Sequence, residues 1–385
     1  MKHGTSAVSI YIHWPFCTAK CPYCDFNSHV SDKIEYQKWE DAYLKEISNF
    51  TSFIGNRPIK TVYFGGGTPS TMPTKIAEKI IKTIYRFYTV KSDAEITLEA
   101  NPNSADAKKF KEFSDIGINR VSVGVQSLEA SRLKLLGRNH NSKEAIKAIE
   151  IAAKFFSRYS FDLIYATPGQ TKEQWERELR YALNLVRDHI SLYQLTIEPG
   201  TKFHQYHKQG KLKMPSDDLG ADLFCLTQEI MDSVGMAAYE VSNHSRPGKE
   251  CQHNLQYWRY CDYIGIGPGA HSRIYAGKHF AITMAYKPEH WLQKVIKQNS
   301  GIQIIKTLSQ QELITEYIMM GMRLREGINK QDFYAKSGAM LEESINMHNV
   351  KKLEREGLVA SDSQSIKTTK KGFMLLNGII LDLVG

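Results

Sequence analysis

Cys17-Thr-Ala-Lys-Cys21-Pro-Tyr-Cys24 follows directly on the apolar run of residues 8–13 and sets three thiols in C-x3-C-x2-C spacing. Thiolates are soft ligands that suit iron–sulfur clusters and zinc. Thiols clustered in a reducing cytoplasm are more often metal ligands than disulfides. A loop with this spacing wraps three corners of a cubane and leaves the fourth iron open to a guest that chelates through amine and carboxylate groups. The competing reading is a structural zinc site completed by His13 or His29. That reading leaves Gly65-Gly-Gly-Thr-Pro69, at the end of the next apolar run, without a purpose.

Outward from the cysteines, β-branched and aromatic runs alternate with amphipathic stretches. Strands are predicted at 8–13, 61–64, 95–100, 120–125, 160–166 and 191–197, and helices at 38–50, 75–87, 104–116, 142–156 and 173–186. Such alternation predicts a parallel sheet with helices packed outside it. Six βα units are too few to close an eight-stranded barrel, so the fold class is α/β, an incomplete, laterally open (β/α)6 partial TIM barrel. The chemically unusual residues gather at strand C-terminal ends: the cysteines, Gly65–Gly67, Glu99, Gln126, Asp162 and Glu198. Active sites of parallel α/β folds are built on that rim.

The pattern changes after residue 200. A polar stretch at 208–215 precedes a helix at 219–234, a strand at 237–242 and a loop rich in His, Gly and aromatics at 243–272. Helices at 309–324, 330–337 and 340–356, a hairpin of 358–361 and 365–368, and a last helix outline a C-terminal winged-helix-like α+β domain. The expected organisation is a barrel core at 1–200, an extension carrying the loop at 201–304 and the C-terminal domain at 305–385. That domain is read as a lid or partner-docking module, with DNA binding as the alternative. Cys225, Cys251 and Cys261 stand apart as buried or incidental thiols.

Of 385 residues, 42% are hydrophobic and 24% charged, ordinary for a globular chain. The formal charge of +9 leans toward anionic partners or is a generic basic surface; Lys and Arg are spread along the chain, which argues against a nucleic-acid tail. No apolar run is long enough to span a bilayer, since 373–384 is short and broken by Asn377 and Asp382. The polar start, residues 1–7, does not read as a signal peptide, and a cytoplasmic location is expected.

C-x3-C-x2-C with an aromatic, Tyr23, before the last cysteine resembles the radical S-adenosylmethionine signature, and residues 65–69 resemble that superfamily's glycine-rich segment. The similarity narrows to coproporphyrinogen-dehydrogenase-like proteins through Tyr11-Ile-His-Trp-Pro-Phe-Cys17, Glu99-Ala-Asn-Pro102, Gly124-Val-Gln-Ser127, Leu136-Gly-Arg138, Asp162-Leu-Ile-Tyr165 and Gly265-Ile-Gly-Pro-Gly-Ala-His271. The resemblance implies a 4Fe–4S cluster on Cys17, Cys21 and Cys24, with S-adenosylmethionine contacted by Tyr11, Tyr23, Gly66 and Glu99. It further implies a neighbouring pocket lined by Gly67, Thr68, Gln126, Arg138 and Asp162.

Two departures separate the chain from the dehydrogenase. Phe26 stands where that enzyme has a further cysteine, and His253-Asn-Leu-Gln-Tyr257-Trp258 resembles the heme-binding motif of the heme chaperones within this family. The resemblance implies heme on His253, since neutral imidazole is an axial iron ligand. Tyr257, Trp258 and Tyr260 would offer a flat apolar face, Arg246, Lys249 and Arg259 would pair with propionates, and Cys251 would assist attachment. The alternative for His253 is a hydrogen-bonded structural residue. No C-x-x-C-H stands in the chain, so c-type attachment is not supported. His271 reads as a loop residue near the adenosine. The implied partners are heme and heme-acceptor proteins, including membrane-bound respiratory components reached by docking at an anionic leaflet, and a second copy in a homodimer; no nucleic acid is expected. The alternative function is an oxygen-independent coproporphyrinogen III dehydrogenase, a radical enzyme acting on a tetrapyrrole.

Overall fold

The computed structural model describes residues 6–31 and 33–384; most of the polar start at 1–7 lies outside the described residues. Six strands follow the expected βα rhythm: β1 (Val8–Trp14), β2 (Ile59–Gly66), β3 (Val90–Ala100), β4 (Arg120–Gln126), β5 (Arg158–Tyr165) and β6 (His189–Gln194). They pair in parallel in that sequence. Their side chains are buried on both faces, Ile10, Ile12, Phe64, Leu98, Val123, Phe161 and Leu163 on one and Ser9, Thr61, Thr97, Ser122 and Ser160 on the other, because helices cover the outside and side chains fill the inside.

Local signals explain the helices. Thr74–Phe87 buries Ile76, Ala77, Ile80, Ile81 and Ile84 along one stripe. Capping boxes start Ser142–Phe155, through Asn141 and Glu144, and Lys172–Leu183, through Thr171 and Gln174. The helix expected at 104–116 starts later, at Ala107, because the Asp106 side chain caps it by accepting from the Lys109 N–H.

After residue 200 the chain adds strands to both sides of this sheet. β7 (Asn243–Ser245) runs antiparallel to β6. β8 (Tyr263–Ile266) is a further parallel strand beside β1, in register from Ser9 against Tyr263 to Ile12 against Ile266. β9 (His271–Tyr275), β10 (His279–Met284) and β11 (Ile302–Thr307) then form an antiparallel meander. The order is β11-β10-β9-β8-β1-β2-β3-β4-β5-β6-β7, an open sheet whose outer strands do not meet. This is the expected incomplete barrel, widened beyond six strands.

Three expectations are corrected. Residues 237–242 form no strand of their own beyond one bridge from Ala238 to His244; the strand is Asn243–Ser245. The region 243–272 is not a loop but carries β7, the helix Gln252–Trp258, β8 and the start of β9. The helix expected at 340–356 is broken into Leu341–Ser344 and Met347–Arg355, because Asn346 caps the second piece by accepting from the His348 and Asn349 N–H groups.

The C-terminal helices and a three-stranded sheet, with Ser365–Thr368 central, enclose a second hydrophobic cluster around Ile318, Phe333, Val350, Ile366 and Phe373. Phe224, Val241 and Tyr260 of the first unit pack against it, and Arg273–Glu316 and Arg259–Glu326 ion pairs join the two. β11 runs across the expected boundary at 304/305 and belongs to the main sheet. Among the described residues, no helix is long and apolar enough to cross a membrane.

Candidate functional site

A cleft of about 430 Å³ opens at the C-terminal ends of β1 to β6. Cys17, Cys21, Tyr23, Cys24, Gly66, Gly67, Thr68, Glu99, Gln126, Arg138 and Asp162 all line it, drawn from the ends of β2 to β5 and the segments after β1, β2 and β4. Cys17 and Asp162 stand 145 positions apart in the chain, yet parallel strands with right-handed crossovers bring all their C-terminal ends to one rim.

The cysteine loop leaves β1 through Pro15 and folds back so that Phe16–Cys17 pairs with His29–Val30. All three thiols are free and half-buried. The Thr68 hydroxyl donates to Cys17 Sγ at 3.2 Å, and Arg138 Nη1 lies 3.3 Å from Cys21 Sγ and 3.4 Å from the Tyr23 hydroxyl. Burial pushes the Cys17 thiol up, and the Thr68 hydrogen bond pulls part of that back. Arg138 is held in place by Nη2 donation to Asn101 Oδ1 and to the Gly124 carbonyl, both at 2.8 Å. Among the described residues, no three His, Cys, Asp or Glu side chains converge closely enough to hold a single metal ion.

The glycines are demanded by packing as well as by the cleft. A Cβ on Gly67 would lie 2.8 Å from the Pro15 and Phe16 backbone, and one on Gly66, at φ +114°, 2.7 Å from the His13 ring. Behind them Glu99 accepts from the Tyr63 hydroxyl at 2.8 Å and from the Gly66 N–H at 3.3 Å. Burial, with the Asp162 charge adding to it against the Tyr63 hydrogen bond, raises the Glu99 carboxyl to about 7. Burial likewise raises Asp162, which accepts from the Ser122 hydroxyl at 3.2 Å. Gln126 takes φ 71° where β4 slips register against β5, a left-handed conformation that turns the strand end over the cleft at some local cost. Two carboxylates in a low-dielectric pocket beside backbone N–H groups form a receptor for a small ligand carrying both positive and negative groups.

Two expected residues lie elsewhere. Tyr11 does not line the cleft; its hydroxyl bonds His13 Nδ1 at 3.0 Å, and its ring packs against Tyr63 and His253. His253 sits at the opposite end of the barrel, 1% exposed. Its Nδ1 is 2.7 Å from Thr61 Oγ1 and its Nε2 is 2.9 Å from the Tyr257 hydroxyl, while its backbone N–H donates to Glu95 at 3.1 Å. Thr61 gives its own proton to Ser9, so Nδ1–H is the donor and Nε2 accepts from Tyr257. The ring stacks on Tyr63 at 4.8 Å, and burial, then the Arg120 charge, lowers its pKa to about 3. Tyr257 packs edge-on against Tyr263, Arg323 lies over Trp258, Arg259 pairs with Glu326, and Tyr260 donates to Glu316. The expected flat aromatic face is thus consumed in packing the helix between barrel and C-terminal unit. Cys251 is also sealed, its thiol pushed up to about 12 by burial, so the expected help in heme attachment does not hold in this conformation.

Reading the sequence missed Ser122, Tyr193 and Gln194 in the cleft, and the anchoring role of Asn101. Asn101 was within reach, because it stands in the Glu99-Ala-Asn-Pro102 landmark; the others carry no local mark.

Residues 11–182 match the radical SAM superfamily, and residues 308–375 match the HemN C-terminal domain. The heme chaperone HemW of Escherichia coli (strain K12) is 33% identical over 97% of this chain and 97% of its own length. HemW of Bacillus subtilis (strain 168) is 31% identical over 98% and 99%. A zebrafish (Danio rerio) protein described as radical S-adenosyl methionine domain-containing protein 1, mitochondrial, is 33% identical over 98% of this chain and 87% of its own. Among solved structures, Escherichia coli coproporphyrinogen III oxidase (HemN) superposes with a TM-score of 0.84 at 21% identity, over 99% of this chain and 91% of that one, a likeness of fold.

Proposed function

The chain belongs to the HemW heme-chaperone family of radical S-adenosylmethionine proteins, and from that premise we propose that it carries heme to acceptor proteins while its cleft holds a 4Fe–4S cluster and S-adenosylmethionine. The observation that carries the cleft assignment is the placing of three half-buried free thiols on the wall of the pocket that also holds Glu99, Asp162 and the Gly66–Thr68 backbone. Three thiolates suit three irons of a cubane, whereas a structural zinc takes four protein ligands. Cys17, Cys21 and Cys24 would hold the cluster, and a bound cluster would supply one electron to the sulfonium. Glu99 and Asp162 attract the cationic groups of the ligand, the Gly66–Thr68 turn lets the backbone approach it, and Arg138 balances thiolate charge beside Cys21.

His253 serves as an axial ligand only if the helix Gln252–Trp258 leaves the barrel end, because both ring nitrogens are engaged where it sits. The proposal is tested on anaerobically purified protein by iron and sulfide analysis, hemin titration and transfer of bound heme to an apo-acceptor. Replacing Cys17, Cys21 or Cys24 by Ser abolishes the brown absorbance and leaves hemin uptake intact. Zinc in place of iron, or oxidative decarboxylation of coproporphyrinogen without hemin uptake, refutes it.

A further inference from the structure

A groove of about 950 Å³, larger than the cysteine cleft, lies along the seam between β6 and the C-terminal unit. Leu195 and Phe224 line one wall, and Phe373, Met374 and Leu375 the other. Met374 and Leu375 are 48% and 54% exposed, so the fold leaves this apolar surface open to water. Met374 Sδ accepts from the Cys225 thiol at 3.1 Å, which fixes the thioether at the wall.

The charge of the lining is opposite to that of the chain. Asp217, Glu356 and Asp382 line the groove, all three exposed. None of them joins an ion pair among the described residues. Against them stands Arg323, already engaged over the Trp258 ring at 6.0 Å and with Asn377 Oδ1 at 3.4 Å. Three carboxylates against one guanidinium leave the lining negative in a chain of formal charge +9. An apolar surface with an unpaired acidic rim fits a guest that is apolar on one side and cationic along its flanks.

The walls decide the shape of that guest. The helices Asp217–Ser233 and Leu376–Val384 flank the groove, and the strands that reach it, β5 and β6, are each paired on both sides. An extended peptide would therefore find no strand edge there for its backbone N–H and C=O groups, whereas a helix satisfies its own. Apolar side chains at three-to-four spacing give a helix the single stripe that such a groove accepts.

We propose that this groove docks a cationic amphipathic helix of a partner protein, with its apolar stripe on Met374 and Leu375 and its Lys or Arg residues against Asp217, Glu356 and Asp382. Docking there goes beyond heme carrying and does not rest on it. Apolar contact supplies the affinity, and the carboxylates supply selectivity and salt dependence.

The test is fluorescence anisotropy of the full chain with a labelled amphipathic Leu–Lys helix of about four turns. The same residues in scrambled order and a Leu–Glu counterpart serve as competing probes. The Leu–Lys helix is expected to bind at least tenfold more tightly than either, and more weakly as salt rises. Met374→Lys sets a cation in the apolar wall and is expected to weaken binding at least tenfold with circular dichroism and iron content unchanged. Neutralising the rim together, by Asp217→Asn, Glu356→Gln and Asp382→Asn, is expected to weaken binding severalfold at low salt and to flatten the salt dependence. Ile304→Lys, at an exposed apolar site on the edge strand β11, is expected to bind as wild type does. Equal binding of the scrambled or Leu–Glu probe, wild-type affinity in Met374→Lys, or equal loss in Ile304→Lys overturns the proposal. A wild-type dimer that light scattering shows falling apart in Met374→Lys also overturns it, because a second copy then fills the groove.

Discussion

Replacing His253 by Ala tests whether the imidazole belongs to the barrel floor or to a ligand. In the structure it donates to Thr61 and accepts from Tyr257, and the ring lies against Tyr63. Removing it strands a buried hydroxyl acceptor and a buried hydroxyl donor, each costing about 1–3 kcal/mol. It also leaves a cavity beside two aromatic rings, so the expected destabilisation is about 3–5 kcal/mol. Urea unfolding of the metal-free protein, read by tryptophan fluorescence, then shifts its midpoint down by about 1–2 M. Gln at 253 can keep one of the two bonds and loses roughly half as much. Acid adds a second signature. The folded pKa of about 3 lies below the unfolded value of 6.5. The unfolded chain therefore takes up the proton first, and this contribution is lost as pH falls from 6.5 toward 3, by up to about 1.4 kcal/mol per unit. The gap between wild type and His253→Gln narrows over that range. A midpoint for His253→Ala within about 0.2 M of wild type would refute the reasoning, because an imidazole worth so little is not in this network and is free to bind iron.

The cleft yields three more expectations. Ionised Glu99 attracts a cationic ligand and its carboxyl titrates near 7, so S-adenosylmethionine binding, followed calorimetrically on reconstituted protein, tightens between pH 6 and 8; Glu99→Gln binds more weakly and without that pH dependence. Gly67→Ala drives a Cβ into the Pro15–Phe16 backbone, so iron retention after gel filtration falls severalfold, and retention equal to wild type would show that the cysteine loop does not need this close approach. Arg138→Ala removes the contact to Cys21 Sγ and two bonds to Asn101 and Gly124 that hold the wall of the cleft, and iron content after reconstitution is expected to fall severalfold, with wild-type content refuting that role.

The legible part of this molecule is local. Ile76, Ile80 and Ile84 on one stripe, the Asn141 and Thr171 caps and the β-branched runs reveal the βα rhythm without any partner in view. That rhythm, through the handedness of crossovers, already places Cys17, Gly67, Glu99, Gln126 and Asp162 on one rim. β8 was not legible, because four residues, Tyr263–Ile266, are too few to show a period and their reason for being a strand is pairing with Ser9–Ile12 some 250 residues earlier.

By itself, then, the sequence determined the parallel barrel and the cluster rim, since repeating local propensities and a fixed handedness leave few alternatives. Tertiary structure alone decided that Tyr11 turns away from the cleft, that the imidazole of His253 is locked between Thr61 and Tyr257, and that a groove stays open beside Met374. Each of these depends on which distant side chain fills a given space or satisfies a given hydrogen bond, and no pattern along the chain encodes that choice.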